Sequence, residues 1–387
     1  MTRVGWLMGL IGMLAASACQ PAPPAPAAAP TAASAPAASA PTASAPAAAP
    51  AASQATTLAA QPAPLSPPVT LRMGQLRSGA DLPIFFGLER GYFQEEGLDL
   101  QLEDFQTSAQ MTPLLATGQL DIGLGGVNAG FFNSVAQGIP LKIVANQTLE
   151  GPEAKSCTWM ARAELLNSGA VKEARDLKGL NFGLGTVGSV IDVELDRILR
   201  DGGLTRDDIT IKQVAYPDQI AAFANASIDI AYVFEPTRTR LLEQGLTGVW
   251  RTCAQIYPNH EATVLVFGPS MDSQQEAGRR FLVAYLRGMR VNKEEMLDKR
   301  DPQGVELAVK WTTIKDPALW QKMELQRGNP DGYNTRASLE YDLNWFANNG
   351  FVEKPPRLDD LLDQSYVDYA IARLGRYKPG CGAAPCP

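Results

Sequence analysis

Short apolar runs alternate with segments of helical periodicity between residues 69 and 268. Strands that alternate with helices predict a parallel sheet covered by helices on both faces. A first series ends near residue 147, and a second extends from CTWMARAEL (157–165) to TVLVFG (263–268). The chain is therefore expected to be an α/β protein with two such units. The strand-like runs of the first series are VTLRMGQL (69–76), LDLQLEDF (98–105), DIGLG (121–125) and LKIVANQ (141–147).

The two units share a local pattern. LLATGQLDIGLGG (114–126) and AFANASIDIAYVF (222–234) each place a helix, a turn of small residues and an Asp-led strand in the same order. This predicts two doubly wound lobes of similar topology. The remainder of the chain is expected to be mainly helical. The predicted helices lie at about 276–298, 304–312, 316–325, 335–348 and 361–373.

The first 19 residues have the pattern of a secretory signal. Arg3 precedes an uncharged apolar run that is too short to cross a bilayer as a permanent helix. The ending Ala-Ser-Ala-Cys19 resembles a bacterial lipobox, in which the cysteine carries fatty-acyl chains such as palmitate. The alternative is an ordinary signal peptide cleaved near this point. Residues 20–68 consist of Ala, Pro, Ser, Thr, Gln and rare Leu without a charge, which predicts a disordered tether. We expect an extracytoplasmic protein that contacts a bacterial membrane only through its lipid.

Charge and cysteine content narrow the possible partners. The net charge is −7 and no basic run is present, which disfavours nucleic acid as a partner. Four cysteines besides Cys19 suggest two disulfides, most simply Cys157–Cys253 and Cys381–Cys386, with four free thiols as the alternative. The sequence has one histidine, His260, and no CxxC, so no metal site is expected. The polar surroundings of His260 predict a surface position.

Residues 180–199 contain the spacing GxGxxG at Gly183, Gly185 and Gly188, with Asp207 and Asp208 about 20 residues beyond. The pattern alone fits a dinucleotide-binding turn. Because the chain is predicted to be exported, away from cytosolic NAD, we disfavour that interpretation and expect no cofactor. Two alternatives stay open: a tight turn needed for packing, or a turn that lets a ligand approach a helix N-terminus.

Several segments together resemble type II periplasmic binding proteins of ABC importers, namely the family that binds nitrate, sulfonate, taurine and thiamine-pyrimidine precursors. The resemblance implies two lobes joined by crossovers near 146–156 and 264–270, a small ligand between them, and delivery to an ABC permease. The expected lobes are 69–150 with 266–387, and 151–265, in a monomer. The segments are LPIFFGLERGYFQEEGLDLQLEDF (82–105), TPLLATGQLDIGLGGVNAGFFNSVAQGIPLKIVANQ (112–147), DLKGLNFGLGTVGSVIDVELDRIL (176–199) and NPDGYNTRASLEYDLNWFANNGFV (329–352).

Ligands of open α/β sheets lie beyond the carboxyl ends of the strands. Candidate residues at those ends also have purely structural interpretations: helix capping for Asn128, the core for Phe86, and the helix dipole for Glu235. The candidate ligand-binding residues are Ser78, Gly79, Leu82, Phe86, Asn128, Thr186, Gly188, Ser189, Tyr216 and Glu235.

The candidate residues suit a neutral heteroaromatic such as an aminopyrimidine. Its amino hydrogens would bind Glu235, and its ring would stack on Tyr216 or a phenylalanine. An organic anion of the sulfonate, nitrate or taurine type is the alternative. No catalytic residues are predicted, because the chain lacks a GxSxG elbow and an HExxH motif. A synthase-like enzyme and a ligand sensor are more remote alternatives.

Overall fold

A computed structural model describes residues 62–185 and 187–386. The predicted leader with Cys19, residues 20–61 of the predicted tether, and Thr186 lie outside the described residues. Within the described ranges, ten strands form two five-stranded sheets. The strands are β1 (Val69–Gln75), β2 (Leu98–Asp104), β3 (Ile122–Gly125), β4 (Lys142–Glu150), β5 (Cys157–Arg162), β6 (Asn181–Leu184), β7 (Thr210–Gln213), β8 (Ile230–Phe234), β9 (Thr247–Thr252) and β10 (His260–Phe267).

The two sheets have the same topology. Their strand orders are β2-β1-β3-β10-β4 and β7-β6-β8-β5-β9. In each sheet a central strand, β3 or β8, has a parallel neighbour on one side and an antiparallel neighbour on the other. The predicted similarity of the two units is thus confirmed. The expected parallel sheets are in fact mixed, because β5 and β10 each enter their sheet directly after the chain has crossed from the other one.

Fifteen α-helices cover these sheets in the part of the chain that the structure describes. The longest, Gln275–Val291, continues as a π-helical segment at Asn292–Leu297. The helices are α1 (Leu82–Glu89), α2 (Tyr92–Glu95), α3 (Ser108–Ala116), α4 (Ala129–Ala136), α5 (Ala163–Asn167), α6 (Val190–Asp201), α7 (Gln219–Ala224), α8 (Thr237–Glu243), α9 (Cys253–Ile256), α10 (Gln275–Val291), α11 (Pro302–Trp311), α12 (Pro317–Lys322), α13 (Arg336–Asn348), α14 (Leu358–Leu361) and α15 (Ser365–Leu374).

Buried apolar side chains form separate clusters on the two sheets. One cluster joins the first sheet to α1, α10 and α15 around Phe85 and Phe281. Another fills the second sheet beneath α6 around Trp159 and Phe182. A further cluster contains α13 residues of the first lobe together with Val193 of α6. Helix α6 therefore packs against both lobes, and its position couples them.

Two aspartates perform the same task in the two sheets. Asp121, just before β3, accepts a hydrogen bond from the backbone N–H of Arg72 at 2.8 Å. Asp229, just before β8, accepts one from the backbone N–H of Asn181 at 2.9 Å. Each also pairs with an arginine: Asp121 with Arg72 at 2.9 Å, and Asp229 with Arg162 at 2.8 Å. The repeated Asp in the two sequence units thus fixes the central strand to its parallel neighbour.

The chain passes between the sheets twice. It leaves the first sheet after β4, and returns through α9 to enter β10, whose His260 pairs with Glu150 of β4. The second crossover therefore lies at 253–259, and the expectation of 264–270 is wrong. The apolar run TVLVFG marks only the second half of β10, because that strand begins with buried polar residues.

The last residues of the predicted tether contact the folded body. The backbone N–H of Leu65 donates to the carbonyl of Glu96 at 3.2 Å, and the carbonyl of Ala63 accepts from Arg280 at 2.7 Å. The Leu65 side chain packs against the first hydrophobic cluster. Gly97 has a φ of 75°, and a Cβ there would lie 2.3 Å from the Leu65 nitrogen. The close approach of this segment thus depends on a glycine.

Two disulfides close loops of very different length. Cys157 on β5 is bonded to Cys253 on α9, 96 residues apart, and Cys381 is bonded to Cys386 near the end of the chain. These are the two pairs that the sequence predicts as the simplest arrangement, and the alternative of four free thiols is wrong. Among the helices of the described residues, none combines the length and apolar character needed to cross a membrane.

Candidate functional site

The carboxyl ends of β3 and β6 meet through two residues that each begin a helix. Asn128 caps α4, its Oδ1 accepting from the backbone N–H of Phe131 at 3.1 Å. Ser189 caps α6, its hydroxyl accepting from the backbone N–H of Ile191 at 3.3 Å. Asn128 and Ser189 also form an isolated antiparallel β-bridge with each other. The two lobes therefore contact each other where the positive ends of two helices converge.

Close packing and backbone conformation explain the glycines of the turn between β6 and α6. Gly188 has a φ of 78°, and its N–H donates to Oδ2 of Asp192 at 2.7 Å. A Cβ on Gly185 would lie 2.3 Å from the ring of Tyr216. Asp192 is fully buried and pairs with Arg206 at 2.9 Å. The GxGxxG spacing thus serves a turn held against its sheet. Thr186 of this turn was a predicted site residue, and it lies outside the described residues.

Three aromatic residues lie at the same end of the second sheet. Tyr216 belongs to a short 3-10 helix after β7, and Phe234 is the last residue of β8. Their ring centroids are 4.5 Å apart in an edge-to-face arrangement, and Tyr232 lies 6.4 Å from Phe234. All three side chains are half-buried. Together they provide an apolar surface suited to a planar ligand.

Glu235 follows β8 directly, and its side chain is only 7% exposed. One carboxylate oxygen accepts from Arg238 at 3.2 Å and from the backbone N–H of Glu324 at 3.1 Å. The other accepts from the backbone N–H of Thr239 at 3.1 Å. The chain around Glu324 packs with the first hydrophobic cluster, so Glu235 makes a second contact between the lobes. One acceptor position of this carboxylate remains for a further donor.

Ser78 and Gly79 begin the 3-10 helix that follows β1. The backbone N–H and hydroxyl of Ser78 contact Oδ2 of Asp81 at 2.9 and 3.3 Å, while Oδ1 of Asp81 accepts from Gln147 at 2.9 Å. Burial raises the pKa of Asp81 to about 6, against the opposing effect of these hydrogen bonds. A Cβ on Gly79 would lie 3.6 Å from Trp320. The Ser78 hydroxyl therefore helps to cap this helix.

Leu82 and Phe86 do not belong to the site. They are 1% and 0% exposed and lie in the first hydrophobic cluster. Six of the eight residues of α1 are buried, so this helix has no side that faces a cleft. Phe86 packs against α11, within 3.4 Å of where a Cβ on Gly304 would lie. Of the two interpretations of Phe86, the structure therefore supports the core, and the candidate Leu82 lies in the same cluster.

A small cavity of about 20 Å³ lies beside Asn128, inside the first lobe. Its wall is formed by α3, β3 and the start of α4, and it is mostly apolar. A cavity of this size holds about one water molecule and has no room for a ligand group. The lining residues are Ser108, Met111, Thr112, Leu115, Gly123, Leu124, Gly125, Gly126, Val127, Asn128, Phe131 and Val266.

His260 lies in a buried cluster of charges and is not on the surface as predicted. It is 1% exposed, with Nδ1 at 3.0 Å from a carboxylate oxygen of Glu194 and Nε2 at 3.3 Å from one of Asp342. Burial by itself lowers its pKa, but the two carboxylates outweigh burial and raise the pKa to about 10. Glu194 belongs to α6 and Asp342 to α13, so an imidazolium joins helices of the two lobes. The polar sequence around His260 gave no sign that its partners are buried with it.

Further groups surround this cluster. The ring of Tyr257 stacks on the ring of His260, with their centroids 4.2 Å apart. The guanidinium of Arg197 lies 4.2 Å from the centroid of the Tyr257 ring. Burial, reinforced by Glu194, raises the pKa of Glu150 to about 8, while His260 opposes the shift. The connection between the lobes therefore holds several buried titratable groups.

One group of potential metal ligands occurs within the described ranges: Cys157, Glu194 and Cys253, whose ligand atoms lie within 4.8 Å of one another. Because the two sulfurs are bonded to each other, neither is a thiolate that could bind a metal. We therefore assign no metal ligands.

The chain is similar to known proteins in sequence and in fold. The family model described as NMT1/THI5 like matches residues 81–295, more than half of the chain. A 4-amino-5-hydroxymethyl-2-methylpyrimidine phosphate synthase of Saccharomyces cerevisiae is 28% identical over 129 residues, which are 33% of this chain and 35% of that protein. The corresponding synthase of Candida albicans is 26% identical over 127 residues, 33% of this chain and 34% of that protein. The chain thus matches about a third of the length of these curated relatives.

Solved structures share the fold at low sequence identity. The periplasmic nitrate-binding protein of Synechocystis superposes with a TM-score of 0.65 at 13% identity, covering 80% of this chain and 89% of that one. The periplasmic aliphatic sulphonate binding protein of Escherichia coli gives 0.62 at 18% identity, covering 78% and 99%. A ligand binding component of an ABC-type import system from Staphylococcus aureus gives 0.62 at 14%, covering 78% and 98%. The fold is that of periplasmic binding proteins.

Proposed function

This chain belongs to the NMT1/THI5-like family, and from that premise we propose that it is a solute-binding protein that holds a small molecule between two lobes and delivers it to an ABC importer. The observation that carries the proposal is the contact of the lobes at Asn128–Ser189 and Glu235–Glu324. Asn128, Ser189 and Glu235 each follow the carboxyl end of a strand, the usual place for ligands of open α/β sheets. In this proposal the lobes comprise 69–150 with 260–387, and 151–259.

The protein acts outside the cytoplasm, held by a lipid on Cys19. Two disulfides support an oxidising compartment. The uncharged, Ala/Pro-rich composition of residues 20–61 is typical of a tether between an anchor and a folded body. Replacing Cys19 with Ala should release the protein into the soluble fraction after cell lysis. Continued membrane association of that variant would contradict the anchor.

The ligand is a planar heteroaromatic that carries an amino group. The ring stacks on the Tyr216–Phe234 surface, and the amino group donates to the remaining acceptor position of Glu235. Acceptor atoms of the ring face the backbone N–H groups at the start of α6. This placement uses residues from three strand ends of the second lobe.

An organic anion is the second candidate, and Arg238 favours it. The Nε of Arg238 is buried without a hydrogen-bond partner among the described residues, beside the carboxylate of Glu235. A sulfonate or similar oxyanion could accept from this nitrogen. Such a ligand would also experience the negative charge of Glu235, which the Arg238 guanidinium already neutralises in part.

We propose no enzymatic activity, although the sequence relatives are named as synthases. A histidine can take part in catalysis only where it reaches the reacting atoms. His260, the single histidine of the sequence, is 1% exposed and both its ring nitrogens face carboxylates. This burial supports a binding protein.

Glu235→Gln distinguishes the two ligand classes. Calorimetric titration of the full-length protein with an aminopyrimidine should show binding that the variant weakens by about 1.5–3 kcal/mol, the scale of a charge-assisted hydrogen bond. Taurine and nitrate should bind neither protein tightly. The matched control is Glu164→Gln, because Glu164 is 81% exposed and pairs with Arg162 within the second lobe. Affinity for the aminopyrimidine that is equal in all three proteins would refute the placement. Tight taurine binding that strengthens in Glu235→Gln would establish the anion receptor.

A further inference from the structure

Three arginines line one surface depression of about 490 Å³, formed by α6, β9, α9 and α13. Arg197 and Arg200 lie one turn apart on α6, and Arg251 lies on β9. This concentration of positive charge stands out on a protein whose net charge is −7. The other lining residues are Ile198, Asp201, Gln255, Ile256 and Tyr341.

Two of these guanidiniums have no carboxylate partner among the described residues. Arg197 donates from Nε to the carbonyl of Ile256 at 3.2 Å and lies 5.0 Å from the ring centroid of Tyr341. Arg200 donates to the Tyr341 hydroxyl at 2.7 Å and to the carbonyl of Asp196 at 3.3 Å. Hydrogen bonds to neutral oxygens orient both side chains while leaving their charge uncompensated.

Two carboxylates lie near the three arginines. Asp196 is paired outside the depression, and Asp201 neutralises only one of the three guanidiniums. Asp201 pairs with Arg251 at 2.7 Å and is 58% exposed. The carboxylate of Asp196 pairs with Arg206 at 3.4 Å and accepts from Trp345 at 3.0 Å. The lining therefore carries three guanidiniums and a single carboxylate.

We propose that this depression binds an oxyanion of the phosphate type. Planar guanidinium forks match the oxygens of phosphate, and several of them together favour a doubly charged group over a single carboxylate. The lining combines α6 and β9 of the second lobe with Tyr341 of the first. A bound anion therefore stabilises the contact between α6 and α13, which also carries the His260 cluster. This site is separate from the solute site between the lobes.

Titration calorimetry of the full-length protein with inorganic phosphate and with sulfate, in a low-salt chloride buffer, tests the proposal. We expect saturable 1:1 binding that falls at least tenfold in Arg200→Gln and in Arg251→Gln. The control is Arg175→Gln, because Arg175 is 71% exposed on the same lobe and pairs with Glu173. Circular dichroism establishes folding. If either glutamine variant unfolds, the lysine variant of the same position, which keeps the charge but loses the fork, replaces it and should also bind more weakly.

A second arm identifies the source of the phosphate group. Sedimentation with phosphatidylglycerol vesicles, compared with phosphatidylcholine vesicles, would reveal binding to a lipid headgroup. Vesicle binding that is lost in the same two variants supports the site with a lipid as its source. Absence of saturable binding in both arms overturns the proposal. Binding that is unchanged in Arg200→Gln and Arg251→Gln overturns it as well, since the anion then binds elsewhere.

Discussion

Asn128 and Ser189 form an antiparallel bridge although they follow strands of different sheets. Each is also the N-cap of the helix that begins after it. The backbone N–H of Ala129 lies 3.4 Å from the carbonyl of Gly188, which extends this contact by one residue. A solute bound beside the bridge would touch two lobes at once and would favour their closure through its preference for the closed state.

The buried charge cluster should make stability fall at alkaline pH. The folded-state pKa of His260, about 10, lies above its usual value near 6.5, so its stabilising contribution is complete below pH 6.5 and is lost as the pH rises to 10. The folded-state pKa of Glu150, about 8, is also raised, which adds a loss between about pH 4.5 and 8. Urea unfolding measured from pH 5 to 10 should show this decline.

Two variants separate these contributions. His260→Gln should flatten the decline in unfolding free energy between pH 8 and 10, and Glu150→Gln should flatten it between pH 5 and 8. His260→Gln should also be less stable at pH 6, because Glu194 and Asp342 lose their buried counter-charge. A decline between pH 8 and 10 as steep as in the wild type would show that His260 does not cause it.

The two disulfides should differ in their effect on stability. Removing Cys157–Cys253 by alanine substitution frees a loop of 96 residues and should lower the free energy of unfolding by about 4–5 kcal/mol. Removing Cys381–Cys386, only five residues apart, should cost about 2 kcal/mol by the same relation. Urea denaturation of both double variants provides the comparison. An equal loss in the two would show that loop length does not govern their contributions.

Leu65 should contribute to stability although it lies in the predicted tether. Its side chain packs against the first hydrophobic cluster and is half-buried. Leu65→Ala should lower the free energy of unfolding by about 1–2 kcal/mol, less than a fully buried leucine. The neighbouring Pro64→Ala is the control, because Pro64 is exposed. Identical unfolding curves for both variants would mean that the segment does not stabilise the body.

The repeated topology was accessible from sequence because its determinants are local. Asp121 and Asp229 stand at equivalent positions, before short apolar strands and after a helix and turn. Each aspartate accepts a hydrogen bond from a backbone N–H of the neighbouring parallel strand, so the repeated Asp marks the same strand pairing in both sheets. The turn between β6 and α6 could also be predicted from its glycines. Gly188 adopts a positive φ, and Gly185 leaves space for the ring of Tyr216.

Contacts between distant segments of the chain could not be predicted from the sequence. His260 becomes buried only because Glu194 and Asp342 approach it from helices 66 and 82 residues away. Phe86 could not be distinguished from a cleft residue, because its burial depends on α11, more than 200 residues later in the chain. The contact of Glu235 with Glu324 depends in the same way on how the lobes meet. Spacing along the sequence identifies strand ends but does not show what will cover them.

The central claim is that a solute is held between the lobes, and locking the lobes tests it most directly. The bridge between Asn128 and Ser189 places their backbones at a separation that a disulfide can span, so Asn128→Cys with Ser189→Cys should crosslink the lobes on oxidation. The wild-type protein is titrated calorimetrically with aminopyrimidines, sulfonates and nitrate. It should bind compounds of one of these classes, one molecule per protein. The oxidised variant, purified without ligand, should take up none of them. Equal binding by the locked variant and the wild type would contradict the claim.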